Sequence, residues 1–345
     1  MKKENQHITD SFQRKHDYLR ISLTDKCNLR CFYCMPEDGI VLRERASFMT
    51  AEELIDIAKV FIDLGVKKIR LTGGEPLVKK NARLVIKELG KLPIELSITT
   101  NAILVDQYID DFKKAGIKSV NVSLDTLKES RFNNITKRNF FEKVISNIHL
   151  LLKENFKVKI NVVVIKNVND DEIVEFVKWT KNLPIQLRFI EFMPFDGNQW
   201  NWDKKVSYKE ILESITKELG DKSFYKIQDQ PNDTAKSFKL NNAIGDFGII
   251  SSVTNPFCDT CNRIRLTADG KIKNCLFSNN ELDLLTAHRN NESLIPLIKQ
   301  SIFNKKKQHA GIESFENTLP AALAVEVFHN FSLVHDDIMD QAPLR

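Results

Sequence analysis

The chain has 345 residues, 42% hydrophobic and 28% charged, which allows one large or two medium domains with a substantial core. Its formal net charge of +5 is too small to argue for DNA binding and suits an enzyme that handles anionic small molecules. The opening MKKENQHITD lacks an apolar core, and the longest apolar stretch, LPAALAVEVFHNFSLV, is broken by Glu326, His329 and Asn330. Neither a signal peptide nor a membrane span is expected, and the expected compartment is the cytoplasm.

From residue 18 to about 191, short β-branched runs alternate with amphipathic helical patterns. The runs are YLRISLT, KKIRLT, IELSITT, SVNVSLD, KVKINVVVI and IQLRFIE. Thr50 with Glu53 three residues on predicts a capped helix start, and further helical patterns cover about Val105 to Ala115, Phe140 to Lys153 and Asp170 to Lys181. Six strand–helix units in succession predict parallel strands joined by right-handed crossovers. The runs close on polar or Gly-rich groups such as TGGEP, TTN, SLD and EFMP. Barrels place their chemistry at that rim, which favours a partial (β/α)6 barrel over residues 1–195 rather than an open doubly wound sheet. Beyond Pro194 come a polar loop, FDGNQWNWDKK, a helical stretch over 207–219 and short strands over 235–274, predicting an α+β extension over 196–310.

The six cysteines fall into two triplets. In a reducing compartment they read as metal or redox ligands rather than disulfides. Cys27, Cys31 and Cys34 have the spacing C-x3-C-x2-C on a loop after the first strand. Three thiolates can hold three irons of a [4Fe–4S] cube and leave the fourth open, which is what a reactive metal site needs. The alternative is a structural zinc site borrowing a fourth ligand such as His16. Cys258, Cys261 and Cys275 repeat the shortfall as C-x2-C-x13-C. They could hold a second cube whose free iron takes a substrate nitrogen or oxygen, or form a zinc knuckle. Arg263 and Arg265 flank Ile264, so on a strand both guanidinium groups face one way and suit phosphates or carboxylates; solvated surface arginines are the other reading. Arg20 and Arg70 sit oddly on an apolar barrel wall and add weight to an anionic cavity.

The motif C-x3-C-x-aromatic-C followed by GGEP at residues 73–76 resembles the radical S-adenosyl-L-methionine enzymes. The resemblance implies that an open iron chelates the methionine portion of the cofactor and that an electron from the cluster cleaves the S–C5′ bond, releasing a 5′-deoxyadenosyl radical. Tyr33, Ser123, Met193 and the backbone at Gly74 would contact that cofactor, although Met193 also reads as a core side chain. The blocks YLRISLTDKCNLRCFYC, IRLTGGEP, ITTN, NVSLD, KVKIN, PIQLRFIEFM, FCDTCNRIRL and NCLF are similar, over about residues 8–310, to the GTP 3′,8-cyclase family of molybdenum-cofactor biosynthesis. That likeness implies a lyase with two [4Fe–4S] clusters, S-adenosyl-L-methionine and GTP. The radical removes the ribose C3′ hydrogen, C3′ attacks C8 of guanine, and the second cluster anchors the purine.

Arg20, Arg70, Thr99, Lys159 and the Arg263, Ile264, Arg265 segment match GTP-binding positions, with Lys68 and Arg188 beside them; Arg20, Arg263 and Arg265 would also serve catalysis. The implied partners are cyclic pyranopterin monophosphate synthase downstream and an electron donor such as flavodoxin or ferredoxin, with no nucleic acid and no membrane, the chain acting as a monomer or homodimer. A radical peptide modifier and a zinc-stabilised binding module remain as alternatives. The last stretch, about 318–345, resembles a fragment of a polyprenyl diphosphate synthase, with Asp336, Asp337 and Asp340 as its D-D-x-x-D. So short a piece cannot bury its apolar face alone and is expected to be inert. It stands where the cyclase family usually closes on Gly-Gly, so weaker cyclisation with intact clusters is expected.

Overall fold

The computed structural model describes residues 8–34, 44–193, 202–278 and 281–311. The polar loop from Pro194 to 201 and the aspartate-rich tail lie outside the described residues.

All six predicted runs form strands: β1 (Tyr18–Ser22), β2 (Lys68–Thr72), β3 (Glu95–Thr100), β4 (Ser119–Ser123), β5 (Lys157–Val164) and β6 (Ile185–Glu191). They pair in parallel and in chain order. The crossovers carry α1 (Ala51–Asp63), α2 (Ala82–Gly90), α3 (Ile109–Lys114), α4 (Glu129–Thr136), α5 (Phe141–Lys153) and α6 (Ile173–Trp179). The Thr50 hydroxyl accepts from the Glu53 amide while the Glu53 carboxylate accepts from the Thr50 amide, so the predicted cap is present. Leu54, Ile57, Ala58 and Phe61 then fall on one buried face at helical spacing.

Two predicted helices are shorter than their patterns. Residues 105–107 and 170–172 are single 3-10 turns ahead of α3 and α6. At the second, the buried Glu172 carboxylate accepts from the Thr126 hydroxyl and the Leu127 amide, both at 2.7 Å. A tertiary bond therefore fixes the turn that periodicity reads as helix.

The second half contributes α7 (Tyr208–Leu219), β7 (Phe224–Lys226), β8 (Lys236–Leu240), β9 (Asp246–Ile250), β10 (Arg263–Leu266), β11 (Lys271–Lys273), β12 (Glu281–Asp283), α8 (Leu284–Arg289) and α9 (Leu294–Phe303). These strands build no separate sheet. β10 lies parallel to β1 and β9 parallel to β6, giving one twelve-stranded order, β12-β11-β10-β1-β2-β3-β4-β5-β6-β9-β8-β7. The extension lengthens the barrel sheet at both edges.

Strand alternation separates two faces. Leu19 and Ile21 of β1, with Val158, Ile160, Val162 and Val164 of β5, are buried in the main apolar core, each such burial contributing about 1.5–3 kcal/mol. Tyr18, Arg20 and Ser22, like Lys159 and Asn161, take the other face. In a flat sheet the ends of β1 and β4 would stand roughly 14 Å apart. Tyr33 on the loop after β1 nevertheless bonds Asp125 beyond β4 at 2.5 Å, so the sheet curls and its polar face is the inner wall. Among the described residues no helix is long and apolar enough to cross a membrane.

Candidate active site

The first cysteine triplet occupies the loop that leaves the C-terminal end of β1. Gly73 and Gly74 form the floor of that loop. The Gly74 amide donates to Thr24 O at 2.7 Å and the Glu75 amide to Lys26 O at 2.8 Å. A Cβ on Gly74 would stand 2.4 Å from Lys26 O, and one on Gly73, whose φ is +147°, 2.5 Å from Thr24 O. The GG pair is thus required first by the approach of the cysteine loop. Gly74 also lines, with Cys27, Cys31, Cys34, Tyr33, Thr99 and Ser123, a single cavity at the strand ends.

The Glu75 side chain latches this rim. It is 1% exposed and accepts from the Leu77 amide (3.0 Å), the Thr100 hydroxyl (2.8 Å) and the Asn101 amide (2.7 Å), while burial pushes its pKa up to about 7. Asn101 reaches back to the Asn28 Oδ1 at 2.7 Å. Tyr33 donates its hydroxyl to Asp125 Oδ2 at 2.5 Å, and Asp125 Oδ1 accepts from the Val163 amide at 2.9 Å. Asp125 also lines the cavity, and burial raises its pKa to about 6. Neither Asp125 nor the Glu75 latch was singled out by sequence, although SLD and GGEP contain them.

All six thiols are free. Burial raises the pKa values of Cys27 and Cys31, and that of Cys34 to about 11. Three thiols lining one cavity suit a metal group whose binding displaces their protons. Among the described residues no three His, Cys, Asp or Glu side chains are gathered as on a single ion. His16, the possible fourth zinc ligand, does not serve the first triplet. It precedes β1, whereas Cys27 follows that strand's far end, and its Nε2 lies 3.1 Å from Asp10 Oδ2. Burial, then the Lys305 charge, lowers its pKa to about 4.

The second triplet lies at the opposite mouth of the barrel. The Tyr18 amide donates to Asn262 O, and Tyr18 is in register with Arg263, so Cys258 and Cys261 sit at the N-terminal end of β1. Here burial raises the pKa of Cys258, but for Cys261 the charges of Lys305, Arg263 and Arg265 outweigh burial and lower it to about 7. Glu191, fully buried at the end of β6, holds the loop before this triplet by accepting from the Val253 and Thr254 amides at 3.0 Å.

Between the mouths the inner wall carries the predicted cations. Arg265, Arg20 and Arg70 stand side by side in register, and Lys159 pairs across to Asn121 and Gln186. Tyr18 sits at their centre: its hydroxyl accepts from Arg70 Nε, and its ring lies under Arg20 (5.6 Å), Arg70 (5.9 Å) and Lys68 (5.5 Å). Burial and the Arg188 and Arg70 charges lower the Lys159 pKa to about 7. Burial, then the Arg70 charge on Arg188 and the Arg20 charge on Arg265, brings both arginines to about 10. Arg20 Nε, Arg70 Nη1, Arg188 Nε and Arg263 Nη2 are buried donors without a partner among the described residues. Orphaned donors of one sign, set on one face of the sheet, fit a polyanion.

Three candidates differ from these cations. Lys68 is already paired with Glu95 at 2.6 Å. The Ile264 side chain is fully buried on the opposite, apolar face, so only its main chain is available to a ligand. Met193 follows β6, half-buried, and is not among the described residues lining the first cavity.

The Radical SAM superfamily model matches residues 21–180, and the Molybdenum Cofactor Synthesis C model matches 185–311. A Polyprenyl synthetase model matches 294–345, overlapping the second across α9, whose residues Leu294, Ile298 and Ile302 belong to the main core. Molybdenum cofactor biosynthesis protein 1 of Drosophila melanogaster is 44% identical over 89% of this chain and 55% of its own length; the Homo sapiens protein of that name is 43% identical over 89% and 49%. The chain therefore spans about half the length of these curated relatives. GTP 3′,8-cyclase of Clostridium botulinum is 41% identical over 90% of this chain and 97% of its own.

Solved structures share the fold. Streptococcus suis SuiB bound to S-adenosylmethionine has a TM-score of 0.63 at 16% identity, covering 87% of this chain and 68% of that one. Native anSMEcpe with bound AdoMet has 0.58 at 17%, covering 83% of each. With the two family models tiling the barrel and its extension, and a relative matched along nearly its whole length, the chain belongs to the GTP 3′,8-cyclase family of the radical SAM superfamily.

Proposed function

We propose that the chain converts GTP to its 3′,8-cyclised dihydroguanosine triphosphate, the first step of molybdenum-cofactor biosynthesis. The observation that carries this reading is the row of buried and half-buried cations with orphaned donors, set between two thiol triplets at opposite mouths of one barrel. When bound, a [4Fe–4S] cluster and S-adenosyl-L-methionine supply hydrogen-abstracting radical chemistry. Cys27, Cys31 and Cys34 hold that first cluster at three corners. Tyr33, fixed by Asp125, lines the cofactor cavity with Gly74 and Ser123, and Met193 approaches from the end of β6. Arg20, Arg70, Lys159 and Arg188 grip the triphosphate, with Thr99 and Lys68 at the margins. Arg263, Arg265 and the main chain at Ile264 orient the nucleotide against a second [4Fe–4S] cluster on Cys258, Cys261 and Cys275.

The cationic wall weighs against a peptide substrate, which offers no comparable charge. The reading extends to residues 1–195 as the cofactor-binding barrel, 196–310 as the nucleotide-anchoring extension, and 318–345 as a foreign segment. A flavodoxin or ferredoxin supplies the electron, cyclic pyranopterin monophosphate synthase takes the product, and a monomer or homodimer works in the cytoplasm, where thiols stay reduced. The test is anaerobic incubation of the reconstituted chain with GTP, S-adenosyl-L-methionine and a reductant. Joint appearance of 5′-deoxyadenosine and the cyclised nucleotide is expected, with about eight irons per chain. One zinc per triplet, or 5′-deoxyadenosine formed without any GTP-derived product, would overturn the proposal.

A further inference from the structure

Lys305, just beyond the C-terminal end of α9, lies outside every motif that pointed to the site. It is 4% exposed. Its Nζ donates to the Sγ of Cys261 at 3.4 Å and to the carbonyl of Arg263 at 3.0 Å. Among the described residues no carboxylate pairs with it. The buried acid of the N-terminal segment, Asp10, is held by Arg14 Nε at 2.6 Å and faces His16 Nε2 at 3.1 Å. A buried ammonium is tolerated only when hydrogen-bonded, and among the described residues the acceptors it has are the Cys261 sulfur and the Arg263 carbonyl.

The backbone around Lys305 is clamped as well. Arg14, 9% exposed, donates to the carbonyls of Cys258 (2.7 Å), Lys307 (2.8 Å) and Lys306 (2.9 Å). One guanidinium thus ties the N-terminal segment, the cysteine loop and the strand of chain carrying Lys305 into one unit. The ammonium is directed at one sulfur of the three. Hydrogen bonds from charged donors to ligating sulfur withdraw electron density and favour the reduced state of a cluster.

We propose that Lys305 is a positioning residue for the second cluster, its Nζ–H···Sγ bond to Cys261 raising that cluster's reduction potential. This rests on reading the second triplet as a [4Fe–4S] ligand set. The test is a potentiometric titration of the anaerobically reconstituted full chain, followed by electron paramagnetic resonance. Added S-adenosyl-L-methionine identifies the first cluster's signal and added GTP the second's. Lys305→Met, which keeps length and removes the donor, is expected to shift the second midpoint to more negative potential and leave the first unchanged. Lys305→Gln should fall between, and Lys305→Arg should return toward the parent value. An unchanged second midpoint in Lys305→Met at full iron content overturns the inference. If Lys305→Met loses iron, Lys305→Gln and Lys305→Arg decide it: equal midpoints in these two overturn the inference, and a more negative value in Lys305→Gln supports it. A parent chain with only four irons instead defeats the cluster reading itself, before any substitution is compared.

Discussion

Lys159 is half-buried beside Arg188 and Arg70, and its pKa near 7 has two consequences. Folded, it binds its proton less tightly than the unfolded chain does at 10.5. Between pH 7 and 10.5 the unfolded state carries the extra proton, so this group's contribution to stability rises with pH across that window and is lowest below it. A bound polyanion reverses the balance and recharges the amine. Titration calorimetry of GTP binding at pH 8, repeated in buffers of different ionisation enthalpy, should therefore reveal proton uptake that Lys159→Met largely removes; equal uptake by both proteins would refute this. Glu75 offers a second residue-scale prediction. Glu75→Gln sets an amide where three donors converge on a carboxylate, and should lower stability by ~1–3 kcal/mol, read as a lower Tm. These two residues divide what sequence reveals. A lysine at an inward position of a β-branched run is visible in the text of the chain. Apart from the neighbouring Leu77 amide, the partners that give Glu75 and Asp125 their roles lie 25 or more residues away and are not.

At the scale of elements, the GGEP turn and the cysteine loop are one object made from two segments. Gly74→Ala would drive a methyl group into the Lys26 carbonyl and displace the loop that carries Cys27. Iron is expected to fall from about eight to about four per reconstituted chain, with the second triplet still loaded. Loss of iron from both sites, or from neither, would contradict this. Every barrel strand was legible because period-two alternation with apolar residues on one face is a local signal. The length of α6 was not, because the Glu172 carboxylate, bonded to Thr126 and Leu127, decides where that helix begins. β7 and β12, three residues each, are too short for periodicity to register.

The whole molecule departs most from what its sequence announces at the edges of the sheet. The composition change after Pro194 reads as a second region, yet β9 and β10 join β6 and β1 and continue the first. Edge pairing is a non-local choice that no window of residues contains. Tyr18 is in register with Arg263, so the first strand made is flanked on one side by a strand 245 residues further along the chain. At 5–20 residues per second, a ribosome would leave that edge bare for roughly 12–50 s. Nascent chains stalled before residue 263 should accordingly expose β1 to protease and to a holdase chaperone, and chains stalled well after residue 311 should not. The wall that both mouths share is closed, by the same token, only once β10 has been made.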